Sequence, residues 1–572
     1  MNKIIDLWKN AKLVDELKQE LNSMSEEELR DAFYKDLEFG TGGMRGVIGA
    51  GTNRMNIYTL RKANYGYAMY LKEVTKGDIS VVIAYDNRHK SVDFAIESAK
   101  VLCKYGIKVY LFNKITPTPE LSFSVRYMKA SGGIVVTASH NPPKYNGYKI
   151  YDADGCQLVP DLAEKVINYI KDAPDPLTME LESYEALLDK KMIVLLDEAI
   201  DKAYLDAVKS ISVKPEIDKS NFKVVFTPLH GTSQFLGPKL LGEMGYNYVC
   251  VKEQMIADPN FSSVELPNPE DKKAFNLSVK YAKENAADIC IATDPDADRV
   301  GLAVKAVDSD EYILLNGNQT GALLIYYLCN NKPKSDKKGV IFNTIVTSPL
   351  GVKIGESFGL DYYSTLTGFK FIGEQAKLLE GTDKEFFFGY EESYGYVIKD
   401  FVRDKDSLQA LLLCSEMACF YKNQGKTLID VLNEIYEKYG YYQEDLVNIN
   451  LEGEEGAKKI GRILDSFRNI DTFTEKELQV VMKEDYLLKI RKDFVNDTES
   501  VITLPESNVI KYFLSDGGFF VLRPSGTEPK MKLYISCCAK SRDETIKRNK
   551  EVKDAVLQYV NKVEWLWKKS FL

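Results

Sequence analysis

The 572-residue chain reads as a multidomain α/β protein whose domains share one site. Its length suggests about four domains. Helical patterns alternate along it with short runs rich in Val, Ile and Tyr, the rhythm of α/β units with parallel or mixed sheets. In each quarter one apolar strand runs straight into a polar loop holding glycine or proline: VVTASHNP, IATDPDADR, FFGYEESYG and VLRPSGTEP. Loops at the carboxyl ends of strands are where α/β proteins place ligands, so four of them predict a site built from every domain.

In chain order, Ser25 and Glu28 form a capping box ahead of a helix. Strands are expected at Ser80–Tyr85, Lys108–Phe112, Gly133–Thr137, Lys223–Thr227, Tyr248–Val251, Asp288–Thr293, Gly339–Asn343, Glu385–Gly389 and Phe519–Leu522. Ser407–Phe420, interrupted by Gln409, Ser415 and Glu416, reads as a buried helix rather than a membrane span. Asp471–Asp493 reads as a charged helical stretch separating the last block. Polar, proline-containing breaks place four domains at 1–205, 206–325, 326–470 and 471–572.

Composition narrows the function. The net charge of −9, with both signs interspersed, argues against a nucleic-acid partner. The N-terminal stretch is charged throughout and has no apolar signal core, and no run is long enough for a bilayer, so a cytoplasmic protein without a membrane partner is expected. The nine cysteines lack C-x-x-C spacing and read as reduced packing residues. With only three histidines, a histidine-based metal centre is nearly excluded.

Asp294, Asp296 and Asp298 alternate in a loop, so their carboxylates can converge on a hard cation, which Mg²⁺ suits. An EF-hand fails, because Arg299 stands where glycine is needed and Lys305 where glutamate is needed. The bland alternative is a solvated acidic turn. Ser139 beside His140 lacks the G-x-S-x-G elbow of hydrolases, but a strand-end serine can carry a phosphoryl group toward the cation, with Arg299 neutralising the rest. Taken alone, that segment would pass for an Asn-Pro turn. Arg523, Ser525, Gly526 and Thr527 offer a guanidinium, hydroxyls and turn amides to an anion. Glu391 and Ser393 suit vicinal sugar hydroxyls, and Arg45 and Lys149 could contact phosphate. Gly425-Lys426-Thr427 is not a P-loop, since Phe420 occupies the position of its first glycine.

TASHNP, DPDADR, GYEESYG and RPSGTEPK, in this order, resemble the α-D-phosphohexomutase superfamily. FGTGGMRG, YDNRHKS, TPLHGT, LNGNQTG, TLTGFKFIGE and VRDKDS support the likeness from Phe39 to Lys530. The resemblance implies three related mixed α/β domains and a smaller C-terminal α+β domain around a central cleft. It implies Ser139 as the phosphoserine, Asp294, Asp296 and Asp298 with Ser139 as Mg²⁺ ligands, and Arg299 as phosphoserine partner. It also implies Thr367, Gly368, Glu391, Ser393 and Lys405 around the sugar, and Arg523, Ser525, Gly526 and Thr527 around the resting phosphate. Lys149 is the candidate proton shuttle, His140 the second candidate, and Arg45 a basic group beside the transferring phosphate. The implied reaction interconverts glucose 1-phosphate and glucose 6-phosphate, with glucose 1,6-bisphosphate as intermediate and activator. Pentose and mannose phosphates are the alternatives. Small sugar phosphates are the expected partners of a monomer or weak dimer. An aspartyl phosphatase would place Thr or Val where Ala297 stands, and a non-enzymatic paralogue would lack the serine or an aspartate.

Overall fold

The computed structural model describes residues 1–40, 43–306, 309–451, 453–524 and 530–570. They form two compact units, residues 1–343 with 368–429, and residues 344–367 with 430–572.

The first unit carries three mixed sheets. The first runs in the order Gly43–Val47, Tyr145–Tyr151, Gly132–Val136, Ser80–Tyr85, Lys108–Phe112, Ile193–Leu196. Its last four strands are parallel, and the first two pair antiparallel. Parallel strands are covered on both faces, which is why Ser80–Tyr85 is a continuous apolar run rather than an alternating one. Val81 and Ile83 enter one core with Leu60, Tyr67 and Leu102, while Val82 and Ala84 enter another with Leu121 and Val125. The second sheet runs in the order Tyr312–Leu315, Val300–Lys305, Ile289–Thr293, Lys223–Thr227, Asn247–Cys250. The third sets Lys338–Thr344 parallel to Lys384–Glu391, which then pairs antiparallel with Gly395–Val397.

Helix Ser407–Lys422 is apolar nearly all round and packs against helices Glu198–Lys209, Leu236–Glu243 and Gly317–Asn331. Its buried Glu416 accepts hydrogen bonds from the hydroxyls of Ser212 and Tyr327 and from the backbone N–H groups of Val213 and Lys214. A buried carboxylate without such partners would cost several kcal/mol, roughly. At the N-terminus, helices Asn2–Asn10, Asp15–Ser23 and Glu26–Phe33 bury Trp8, Leu21 and Phe33 against Ala50 and Tyr58. Glu20 accepts from the Ala50 N–H at 3.0 Å, and Ser25 and Glu28 close the expected capping box.

The second unit holds a seven-stranded antiparallel sheet in the order Tyr441–Asn450, Lys530–Ala539, Phe519–Pro524, Ile510–Leu514, Val480–Asp485, Ile490–Asp493, Thr498–Val501. Helices Gly453–Arg468 and Arg542–Ser570 cover it over a core that includes Phe467, Tyr512 and Phe520. This is an α+β domain after three mixed α/β sheets, as expected.

The nine expected strands form within two residues of their bounds. The helical reading of Asp471–Asp493 is wrong: Val480–Asp485 and Ile490–Asp493 form a hairpin. Its buried charges, Lys483, Glu484 and Asp485, are paired. Lys483 Nζ donates to the carbonyls of Arg468 and Ile470 and to Asp471, and Glu484 pairs with Arg491. All nine cysteines are free. Among the described residues no helix is long and apolar enough to cross a membrane.

Candidate active site

Strand Gly132–Val136 delivers Ser139, whose backbone is left-handed (φ +51°). A non-glycine residue there costs about 1–2 kcal/mol, so the surroundings must hold it. The Ser139 N–H donates to Thr137 Oγ1 at 2.9 Å. Arg88, itself facing Asp86 at 3.3 Å, donates to the carbonyls of Ser139, Asn141, Pro142 and Tyr145. One buried guanidinium thus gathers the whole loop. Ser139 is only 4% exposed; its Oγ donates to Asp294 Oδ2 at 2.7 Å and lies 3.1 Å from His140 Nδ1.

The aspartate loop turns between Ile289–Thr293 and the antiparallel Val300–Lys305. Asp294 Oδ1 accepts from the N–H groups of Asp298 at 3.1 Å and Arg299 at 2.9 Å. Neighbouring segments clasp the loop. The Thr118 N–H donates to the Asp296 carbonyl at 2.8 Å, Thr232 N–H to Pro295 at 2.8 Å, and Ser407 N–H to Ala297 at 3.2 Å. All three aspartates are buried, and their ligand oxygens lie within 4.8 Å of one another.

These residues fit a hard cation. Asp296 Oδ1 and Asp298 Oδ1 are buried and accept no hydrogen bond among the described residues. Burial and the charges of Asp296 and Asp298 push Asp294 far above the usual carboxylate range. An all-oxygen donor set with spare lone pairs suits Mg²⁺, whose charge would offset the burial and mutual repulsion that raise Asp294.

Cations line the other side. Lys149, from strand Tyr145–Tyr151, reaches Asp296 Oδ2 at 2.9 Å and Asp298 Oδ2 at 3.4 Å. Burial would lower its pKa, but the two carboxylates outweigh burial and raise it. Lys405 reaches Asp298 Oδ2 at 3.1 Å and is raised in the same way by Asp298 and Asp404. Its stem lies across Gly395, where a Cβ would meet Lys405 Cδ at 2.1 Å and push the lysine aside. His140 goes the other way: burial first, then Arg299 and Arg45, hold its ring well below the usual imidazole range. Arg45 donates to Asn141 Oδ1 at 2.8 Å. Arg299 pairs with Glu270 and faces Asp298 at 3.8 Å. Glu391, at the end of Lys384–Glu391, accepts from the Gly368 N–H at 2.8 Å, and Ser393 follows it half-buried.

Family models described as phosphoglucomutase/phosphomannomutase α/β/α domains I, II and III match residues 36–175, 202–307 and 316–439. A curated phosphoglucomutase of Staphylococcus haemolyticus is 40% identical over 507 residues, 88% of this chain and 91% of the relative. The chain belongs to the phosphoglucomutase/phosphomannomutase family. A second curated phosphoglucomutase, from Staphylococcus aureus, is 39% identical over 545 residues, covering 95% of this chain and 97% of its own. The fold also matches the open form of the Paramecium phosphoprotein parafusin, a phosphoglucomutase, with a TM-score of 0.68 at 16% identity over 92% of this chain and 95% of that one. That last likeness speaks to the fold alone. The family makes this an isomerase with a metal-dependent phosphomutase site.

Within this family member, the first unit brings together Ser139, His140, Arg45, Lys149, the three aspartates, Arg299, Gly368, Glu391, Ser393 and Lys405. Thr367 and Arg523 belong to the second unit. Arg523 sits opposite Lys532 near the end of Phe519–Pro524, and Ser525, Gly526 and Thr527 lie outside the described residues. Sequence reasoning gave no role to Arg88 and Asp86, although both stand in YDNRHKS. It also missed Thr118, which donates to Asp296 Oδ2 at 3.2 Å, and Glu270. The only signal for Arg88 was its place in a polar turn directly after a buried strand.

Proposed function

We propose that this chain interconverts α-D-glucose 1-phosphate and glucose 6-phosphate through phospho-Ser139 and a bound glucose 1,6-bisphosphate. The observation that carries the reading is the 2.7 Å hydrogen bond from Ser139 Oγ to Asp294 Oδ2, which sets a buried hydroxyl on a buried, cation-hungry carboxylate cluster. Asp294, Asp296 and Asp298 would hold Mg²⁺, with an oxygen of the phosphorylated Ser139 completing the set. Bound there, Mg²⁺ neutralises phosphoryl charge.

The chain's own groups supply the rest. A free sugar hydroxyl attacks the phosphorus of phospho-Ser139; the new sugar O–P bond forms as the Ser139 Oγ–P bond breaks. Neighbouring environments drive two titrating groups apart, a pattern that marks acid and base partners. Lys149, held protonated by Asp296 and Asp298, suits the proton donor to the departing Ser139 Oγ. His140, held neutral, suits the acceptor of the hydroxyl proton. The return transfer reverses both roles and leaves the isomeric monophosphate. Glu391, Ser393, Thr367, Gly368 and Lys405 would hold the sugar. Arg523 with Ser525, Gly526 and Thr527 would grip whichever phosphate is not reacting. Burial of Ser139 at 4% exposure supports exclusion of water, which would otherwise hydrolyse the phosphoserine. We place the four domains at 1–205, 206–325, 326–470 and 471–572, in a cytoplasmic protein.

The test is phosphorus NMR of the protein with Mg²⁺, a trace of glucose 1,6-bisphosphate and α-glucose 1-phosphate, with Ser139→Ala alongside. Conversion to glucose 6-phosphate that the substitution abolishes is the expected result. Turnover of ribose 1-phosphate or mannose 1-phosphate instead would keep the mechanism and move the substrate. Release of inorganic phosphate, or full activity without Ser139, would sink the mutase reading.

A further inference from the structure

The segment Ala257–Ser263 is neither strand nor helix, and no motif drew attention to it. It folds on itself: the Asp258 carboxylate accepts from the N–H groups of Asn260 at 2.9 Å and Ser262 at 2.8 Å. The result turns Phe261 inward, 1% exposed and left-handed at φ +52°. A bulky residue in that region is a genuine outlier that persists only where its surroundings over-determine it.

The Phe261 ring touches two groups of consequence. The Arg88 guanidinium carbon lies 5.0 Å from its centroid, and the His230 ring lies 6.4 Å away at 60°. Arg88 is the clamp on four carbonyls of the Ser139 loop. His230 precedes Gly231 and Thr232, which cradle the middle of the aspartate loop. Thr232 N–H donates to the Pro295 carbonyl at 2.8 Å, and a Cβ on Gly231 would meet Pro295 Cα at 2.4 Å. Hydrogen bonds fasten the segment on both sides. Asn87 donates to the Asp258 carbonyl at 3.0 Å, His89 meets Asn260 at 2.8 Å, and Ser263 Oγ meets His230 Nε2 at 2.7 Å. The supports of the two reacting loops therefore meet at one aromatic ring.

We infer that Phe261 is a positioning residue: through Arg88 and His230 it sets where Ser139 stands relative to the aspartate loop. The inference rests on the reading of Ser139 as the phosphoryl carrier. Among the described residues the direct tie between the loops is a single side-chain hydrogen bond, so their spacing is fixed from behind. Misplacing a reacting group by about 1 Å can cost about 10²-fold in rate.

The test compares full-length Phe261→Ala and Phe261→Leu with wild type, Ser139→Ala and Phe222→Ala. Phe222 is an equally hidden ring, 2% exposed, that packs on Tyr246 just before strand Lys223–Thr227 begins, away from the loops. Phe261→Ala is expected to lower kcat about 10²-fold with KM within about 2-fold, because no sugar-binding group has moved. Phe261→Leu falls between, and serves if the alanine variant does not fold. Phe222→Ala, at comparable loss of Tm, keeps kcat within about 3-fold. Equal kcat losses at positions 261 and 222, or none at 261, would overturn the inference. A crystal structure of Phe261→Leu reads the position without turnover: the 2.7 Å Ser139–Asp294 hydrogen bond should lengthen beyond reach, and an unchanged distance overturns the inference. A wild type that isomerises no sugar phosphate, or a fully active Ser139→Ala, removes the mutase reading instead, and the crystallographic distance alone then decides the role of Phe261.

Discussion

Two clusters of buried carboxylates stand in the first unit, and they solve the same electrostatic problem differently. Asp294, Asp296 and Asp298 converge, with Lys149, Lys405 and Arg299 around them. Glu120 and Asp201 meet beside the cation Lys114, deep enough that both Glu120 oxygens are buried. Burial first, and then Asp201, push Glu120 far above the usual carboxylate range, so it keeps its proton and can hand a hydrogen bond to Asp201. Among the described residues the triad is the one group of three acids that could hold a metal. Crowded carboxylates are tolerated by a proton where two meet and by a cation where three converge. One helix, Thr118–Tyr127, touches both clusters: Thr118 clasps Asp296, and Glu120 lies two positions on.

The contrast can be broken experimentally. Asp296→Asn should cost at least about 10³-fold in kcat and abolish any rise of Tm with Mg²⁺. A variant that still responds to the metal would show that the triad is no cation site. Lys405→Met removes a charge 3.1 Å from Asp298, and a loss of about 10²-fold in kcat/KM is expected by steady-state assay. An unchanged value would confine the compensation of the triad to Lys149 and Arg299. Chelating Mg²⁺ from wild type should lower stability by about 3 kcal/mol when the ion had stood at about 100 times its Kd, read as a fall in Tm.

The smallest effect belongs to Glu120→Gln. The amide mimics the protonated acid, so activity should stay within about 2-fold. The sign for stability follows from a folded pKa above the unfolded value of 4.5. Wild type holds an extra proton when folded, so its stability falls as pH rises above 4.5, and the variant loses that decline. Thermal scans from pH 5 to 8 check it, roughly spanning where a buried acid retains its proton. A Glu120→Gln chain that lost its Mg²⁺ response would merge the two clusters into one site.

Much of this was legible in the sequence where charge density and an apolar strand coincide. Ser139 and the aspartates stand directly after Gly132–Val136 and Ile289–Thr293, so their exposure to a site followed from the strands alone. Arg88, Glu270 and Phe261 were invisible, because their roles exist only through partners far along the chain: Arg88 binds carbonyls some 50 residues away and Glu270 pairs with Arg299. The hairpin at Val480–Asp493 was misread for a related reason. Lys483, Glu484 and Asp485 are buried in succession, so burial follows ion pairing rather than the period-two pattern that marks a half-buried strand.

The three helices ahead of residue 36 have a practical consequence. The match to the family's domain I model begins at residue 36, yet Trp8 stacks edge-on against Phe33 and Tyr58 at 5.5 Å, and Glu20 holds the Ala50 amide. A gene trimmed to the border of that domain match would strip the lid from Tyr58 and Ala50 and leave an oily, sticky scar. Anyone preparing a shortened enzyme for crystallisation or screening should therefore cut by burial and keep the N-terminal helices.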